Sequence, residues 1–122
     1  MKRNLAIVVT AVLLVALGFV AVQGATKSKE VTLTGTMSCT SCNLPAASSS
    51  TKECCKACIT AGDPVMFTDA KGNLYILLNN DKEKPLMNAE RMEMVREKVI
   101  VTGKMVKRGG IQAIYVKTIE KA

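Results

Sequence analysis

The chain has 122 residues, with 17 basic and 10 acidic side chains, a net charge of +7 and no histidine. The lack of histidine excludes mixed Cys/His zinc sites, Cys-x-x-Cys-His haem attachment and any Ser/His/Asp catalytic set. Aromatic residues make up only 3% of the chain, too few for the stacking platforms of a basic nucleic-acid binder, so no nucleic-acid partner is expected and the charge reads as a solvated surface or a loose attraction to an anionic envelope.

Lys2 and Arg3 precede an uncharged apolar run from Leu5 to Val22, which Gln23, Gly24 and Ala25 follow. A charged start, an apolar core and small residues at a cut site make a secretory signal peptide, with cleavage after Gly24. The run approaches bilayer-spanning length, so residues 1–24 are expected to be a cleaved signal or an uncleaved membrane anchor. No cysteine follows the run directly, and no lipoprotein attachment site is expected. The protein is therefore expected to be exported, periplasmic or extracellular, or held at the inner membrane by this segment alone. Losing Lys2 and Arg3 takes the basic count from 17 to 15 against 10 acidic residues. Residues 25–122 then form one domain of about a hundred residues with a thin core.

Residues 25–30 read as a polar tether to a domain spanning 31–122. In 31–37, Val31, Leu33, Gly35 and Met37 alternate with Thr32, Thr34 and Thr36, the pattern of a strand with one buried face. Ser38 to Ser50 reads as a loop. A helix is expected over Thr51–Ala61, with Ser50 and Glu53 as a capping box and Gly62 and Pro64 as stop signals. The cysteine loop and helix together span 38–62. Val65–Thr68 and Leu74–Leu78 flank Asp69-Ala70-Lys71-Gly72-Asn73 as a hairpin. Pro85 is expected to open a second short helix, with Leu86, Ala89, Met92 and Val95 toward the core. Val99–Val106 and Ile111–Ile119 form the last hairpin around Lys107-Arg108-Gly109-Gly110.

Gly35 and Gly103 interrupt strands, as at bends and bulges. The last strand changes phase between Ala113 and Ile114, which a bulge near Gln112–Ile114 would produce. Five strands, a helix before the last pair and these signs of curvature predict a mainly β fold with two short helices. The expected architecture is a small five-stranded OB-like barrel behind the signal or anchor.

The chemistry-bearing residues are Cys39, Cys42, Cys54, Cys55 and Cys58, all within twenty residues. Cys39 and Cys42 form one Cys-x-x-Cys, and Cys55 and Cys58 another, with twelve residues between the pairs. Two such pairs can build a thiolate cage for zinc or Cu(I), with Cys39, Cys42, Cys55 and Cys58 as ligands and Cys54 as an alternative. Cys54 and Cys55 fall in the first turn of a helix beside Lys52 and Lys56, so their thiols are expected to ionise more readily. In an oxidising compartment the same cysteines can instead staple the thin core through disulfides, with one thiol left over. Thiol–disulfide exchange is the third reading, although no βαβ pattern surrounds either motif.

Met37, Met66, Met87, Met92, Met94 and Met105 offer thioethers to copper, Met37 being nearest the cysteine loop in sequence, or fill an irregular core. Asp63, Asp69 and Asp81 suit turns rather than acid–base work. No catalytic residue is assigned, and the expected partner is a metal ion or an unidentified protein.

Met37-Ser38-Cys39-Thr40-Ser41-Cys42 resembles the Met-x-Cys-x-x-Cys loop of heavy-metal-associated domains, which implies Cu(I)-type ligation by Cys39 and Cys42. Asn43-Leu44-Pro45 and the serine run stand where that family continues into a helix. Over most of residues 25–122, the cysteine helix leads through Gly62-Asp63-Pro64-Val65 to Gly72-Asn73-Leu74-Tyr75-Ile76-Leu77 and Lys98-Val99-Ile100-Val101-Thr102-Gly103. This order resembles a group of small exported bacterial proteins with an OB-like barrel, a cysteine-rich insertion after the first strand and largely no assigned function.

Overall fold

The computed structural model describes residues 27–45 and 51–122. The expected signal or anchor and the expected cap Ser50 lie outside the described residues. In chain order the described elements are β1 (Lys27–Cys39), α1 (Thr40–Asn43), α2 (Lys52–Thr60), β2 (Val65–Asp69), β3 (Leu74–Asn79), α3 (Ala89–Glu93), β4 (Lys98–Arg108) and β5 (Ile111–Lys121). The strands close into a barrel in the order β1-β2-β3-β5-β4. β3 and β5 run parallel, and every other neighbouring pair is antiparallel. Closure removes the free edges that an open sheet of this size would expose.

The fold is mainly β, as expected, but α1 adds a single helical turn inside what reads in sequence as a loop. β1 is also longer than its apolar alternation implies. It begins at Lys27, inside the expected tether, because β4 reaches far enough to pair with it from Lys27↔Lys107 to Thr36↔Lys98. Backbone pairing sets that boundary, and the exposed side chains of Ser28, Lys29 and Glu30 carry no hydrophobic signal.

β1 then changes partner. Gly35 faces Val99 of β4 and Asp69 of β2, and the strand continues along β2 to Cys39↔Val65. A Cβ on Gly35 would stand 2.0 Å from the Thr68 carbonyl oxygen and 2.8 Å from Phe67 Cζ. Gly103 is equally confined, its would-be Cβ lying 2.2 Å from the Tyr115 carbonyl oxygen. Both glycines are therefore points of close backbone approach.

The irregularity in β5 lies further along than expected. Pairing jumps from Thr102↔Thr118 to Gly103↔Val116, which leaves Lys117 as the extra residue. Ile114 and Val116 face the core before the jump and Ile119 after it, so one inserted residue shifts the inward phase. Ile111, expected to share a face with Ala113, is 60% exposed.

Two turns follow their sequence signals. Arg108 pairs with Ile111 across Gly109 (φ 56°) and Gly110 (φ 82°), and only glycine takes two consecutive positive φ values readily. In the β2–β3 turn the Asp69 carboxylate accepts from the Lys71 and Asn73 backbone N–H groups and Asn73 Nδ2, each at 2.9 Å. The Asn73 side chain, foremost among these, holds the Asp69 carboxyl below its usual range.

The second expected helix starts later than Pro85. Asn88 caps α3, its side chain accepting from Arg91 N–H at 2.8 Å, and a good capping side chain fixes a helix start more strongly than a preceding proline. Of the expected stripe, Ala89 is exposed, Leu86 and Met92 are half-buried and Val95, just past the helix, is buried, as is Met94 beside it. The barrel core gathers Met37, Phe67, Val99, Val101 and Ile114 around Tyr75, Leu77 and Val116.

Replacing Gly35 or Gly103 with alanine forces a methyl group against a carbonyl oxygen. Each variant is expected to lose about 1–3 kcal/mol of unfolding free energy, read from the midpoint of urea denaturation. An unchanged midpoint would show that the strands slide apart at no cost.

Candidate metal centre

Three neighbouring segments carry the thiols. Cys39 ends β1, Cys42 lies in α1, and Cys54, Cys55 and Cys58 lie in α2. The alternation that points Met37 into the barrel also brings Cys39, two residues on, to the same inward face at the rim. Both residues are fully buried. The sequence reading placed Cys39 in a loop; pairing with Val65 makes it the last residue of the strand.

Each segment is pinned. Thr40 donates twice to the Pro64 carbonyl, from its N–H at 3.1 Å and its hydroxyl at 2.6 Å. Ser41 N–H and Oγ donate to the two oxygens of Asp63, each at 2.9 Å. Thr51 caps α2, its hydroxyl oxygen accepting from Cys54 N–H at 3.2 Å. From the other side, Lys52 reaches Glu97 at 3.1 Å and the Glu93 backbone carbonyl, and Lys56 pairs with the Glu93 carboxylate. Arg96, at φ 67°, donates its N–H to the Met37 carbonyl at 2.9 Å and so ties the segment after α3 to β1.

With these supports the five sulfurs converge as two triads that share Cys42. Cys39, Cys42 and Cys55 form one, and Cys42, Cys54 and Cys58 the other, with every Sγ within 4.8 Å of the others in its triad. Cys39 Sγ donates to Cys55 Sγ at 3.2 Å. The grouping departs from the Cys-x-x-Cys pairing, because Cys55 and Cys58 fall in different triads. Helix geometry is the reason: residues four apart are rotated by about 40°, residues three apart by about 60° the other way. Cys54 and Cys58 therefore share one line along α2, while Cys55 turns inward.

The triads differ in surroundings. Cys39 and Cys55 are buried with Val95, against Ile59 and Met87. Cys54 is exposed, and Cys42 and Cys58 are half-buried. Burial, followed by the thiols of Cys55 and Cys42, pushes the Cys39 thiol well above its ordinary value. Cys54 is also raised, first by its hydrogen bond with Cys42 and then by the charges of Cys42 and Cys58. This corrects the expectation that helix start and lysines lower the Cys54 value. Lys52 and Lys56 are engaged by Glu93 and Glu97, and neighbouring thiols dominate what Cys54 experiences. A metal taken up here must displace bound protons.

Among the methionines, Met37, Met66 and Met94 are buried, and Met37 and Met94 belong to the barrel core. Two surface grooves, of about 400 and about 300 Å³, have linings that include Tyr115 and Lys104 in one case and Asp69 and Tyr75 in the other. Neither lining includes a cysteine.

Sequence reasoning found the five thiols but missed their positioning residues. Asp63 reads as a turn residue and in fact clamps Ser41. Glu93 and Glu97 carry no local signal, since the α2 lysines that they hold lie 37 to 45 residues away. Comparison with protein families, curated proteins and solved structures finds no match to this chain.

The Lys–Glu ties make the placement of α2 acid-sensitive. Lys56, then Lys52, holds the Glu93 carboxyl below the usual glutamate value of 4.5, and Lys52 with Lys121 does the same for Glu97. A carboxyl depressed in the folded state adds stability that is present above the usual value and lost as pH falls through the depressed one. The thermal midpoint is expected to fall as pH drops below about 4.5, and the E93Q/E97Q double variant to show a shallower fall. Identical acid profiles for the two proteins would show that these pairs do not hold the helix.

Proposed function

We propose that this protein is an exported module with a barrel of the OB type that binds a soft or borderline metal ion, Cu(I) or zinc, through its cysteine cluster. The observation that carries the reading is the convergence of three thiols within 4.8 Å of one another, twice over. A metal about 2.3 Å from three sulfurs in a plane requires them about 4 Å apart, a separation this cluster allows without moving a strand. An all-thiolate donor set selects soft ions.

The strand order β1-β2-β3-β5-β4 and the helix between β3 and β4 support the OB reading. In barrels of that type the loop between the first two strands is a ligand-binding position, and here that connection carries four of the five cysteines. Signal-like residues 1–24 support export. The resemblance of Met37 to Cys42 to heavy-metal-associated loops agrees in naming Cys39 and Cys42 as ligands.

A second reading rests on one distance. Cys39 Sγ and Cys55 Sγ are 3.2 Å apart and buried, so oxidation would join β1 to α2 with little movement. The protein would then be a stapled structural or binding module.

Reduced protein offered zinc or Cu(I) is expected to gain metal mass in native mass spectrometry and to release it on denaturation. The loaded protein is expected to resist thiol alkylation. A reduced protein that takes up neither ion would remove the metal reading. Protein recovered from an oxidising compartment with Cys39 and Cys55 cross-linked would establish the staple.

A further inference from the structure

Five is an odd number of thiols for one tetrahedral site or for paired disulfides. It is the number that two three-coordinate sites need when they share one ligand. We infer, building on the metal reading above, that the cluster holds two soft monovalent ions bridged by the Cys42 thiolate.

The inner position would be formed by Cys39, Cys42 and Cys55, and the outer by Cys42, Cys54 and Cys58. Structural zinc is almost always four-coordinate, and each triad supplies three sulfurs. A monovalent soft ion is satisfied by three thiolates. Each ion forms metal–sulfur bonds in place of S–H bonds, and the displaced protons leave to solvent. No oxidant or reductant takes part.

The two positions differ in access. Cys39 and Cys55 are fully buried, Cys42 and Cys58 are half-buried, and Cys54 is exposed. The outer triad is therefore the loading position. The inner triad, closed by Val95 and Ile59, is the holding position. Cys42 belongs to both, so an ion can pass inward without ever losing all its sulfur ligands. Asp63, through Ser41, fixes the turn that presents Cys42 and acts as a positioning residue for both sites.

The test is an anaerobic titration of the reduced full chain with Cu(I), followed by native mass spectrometry. The unaltered protein is expected to reach two ions per chain. Cys54→Ser, at an exposed position, is expected to keep the fold and lose one ion. Cys55→Ser is expected to lose the other, with circular dichroism checking that the barrel persists. Cys42→Ser is expected to weaken both binding steps, each by roughly tenfold or more, where the other variants weaken one. Saturation of the unaltered chain at one ion, or a Cys42→Ser effect confined to one step, would overturn the shared-thiolate arrangement and leave the single-ion reading in place. A chain that binds no Cu(I) would overturn the two-ion arrangement, and one that takes up no zinc either would remove the metal reading as well.

Discussion

β1 has to serve two neighbours, and Gly35 is the residue that lets it. The strand pairs with β4 up to Thr36 and with β2 from Gly35 onward. The crossing brings the Gly35 backbone so close to Thr68 that a side chain has no room. Because the strand keeps its period of two through this point, the face that carries Val31, Leu33 and Met37 into the barrel carries Cys39 to the rim. A slip of one residue would turn Cys39 outward and Ser38 inward. The inner triad thus depends on the register of β1 more than on any interaction among the cysteines themselves.

The remaining thiols are placed by polar contacts, and these contacts come from far along the chain. Asp63 and Pro64 hold α1, while Glu93 and Glu97 hold α2. Exposed ion pairs contribute little stability individually, about 0–1 kcal/mol. Here several of them converge on one nine-residue helix whose buried contacts with the barrel are few. Together with the packing of Cys55 and Ile59 they orient α2, and so bear on which cysteine joins which triad. Apolar packing turns α2 the same way, since Ile59, one turn on from Cys55, shares its face and packs beside it.

Much of the barrel was legible in the sequence because its signals are local. The Gly109-Gly110 turn, the Asp69 turn and the alternating strands each follow from neighbouring residues. Legibility stopped where distant pairing decides the outcome. Lys27–Glu30 look like a tether until β4 is present to pair with them. The bulge in β5 sits at Lys117, where Gly103 on another strand permits close approach, and the sequence pattern at Ala113 and Ile114 pointed instead to a stretch whose pairing is regular. Likewise the spacing of the cysteines identified all five as a cluster. The division into triads depends on how α2 is rotated, and the partners that hold it, Glu93 and Glu97 among them, lie far along the chain with no local pattern connecting them to it.

The contrast in burial between the triads bears on the chemistry. A fully exposed thiol cluster would exchange ions freely, and a fully buried one would have to unfold to fill. This cluster runs from exposed Cys54 through half-buried Cys42 and Cys58 to buried Cys39 and Cys55. Burial raises the Cys39 thiol, which keeps it protonated and poorly nucleophilic until a metal displaces the proton. A thiol–disulfide exchange enzyme needs the opposite arrangement, an accessible thiol that ionises easily. Cys54 is accessible, yet its hydrogen bond with Cys42 raises it too. Under the metal reading, this gradient of exposure would let Cys54 meet an ion first and Cys39 and Cys55 shelter it. It also places the least accessible sulfurs in the apolar nest of Val95, Ile59 and Met87, where a soft ion would be shielded from water.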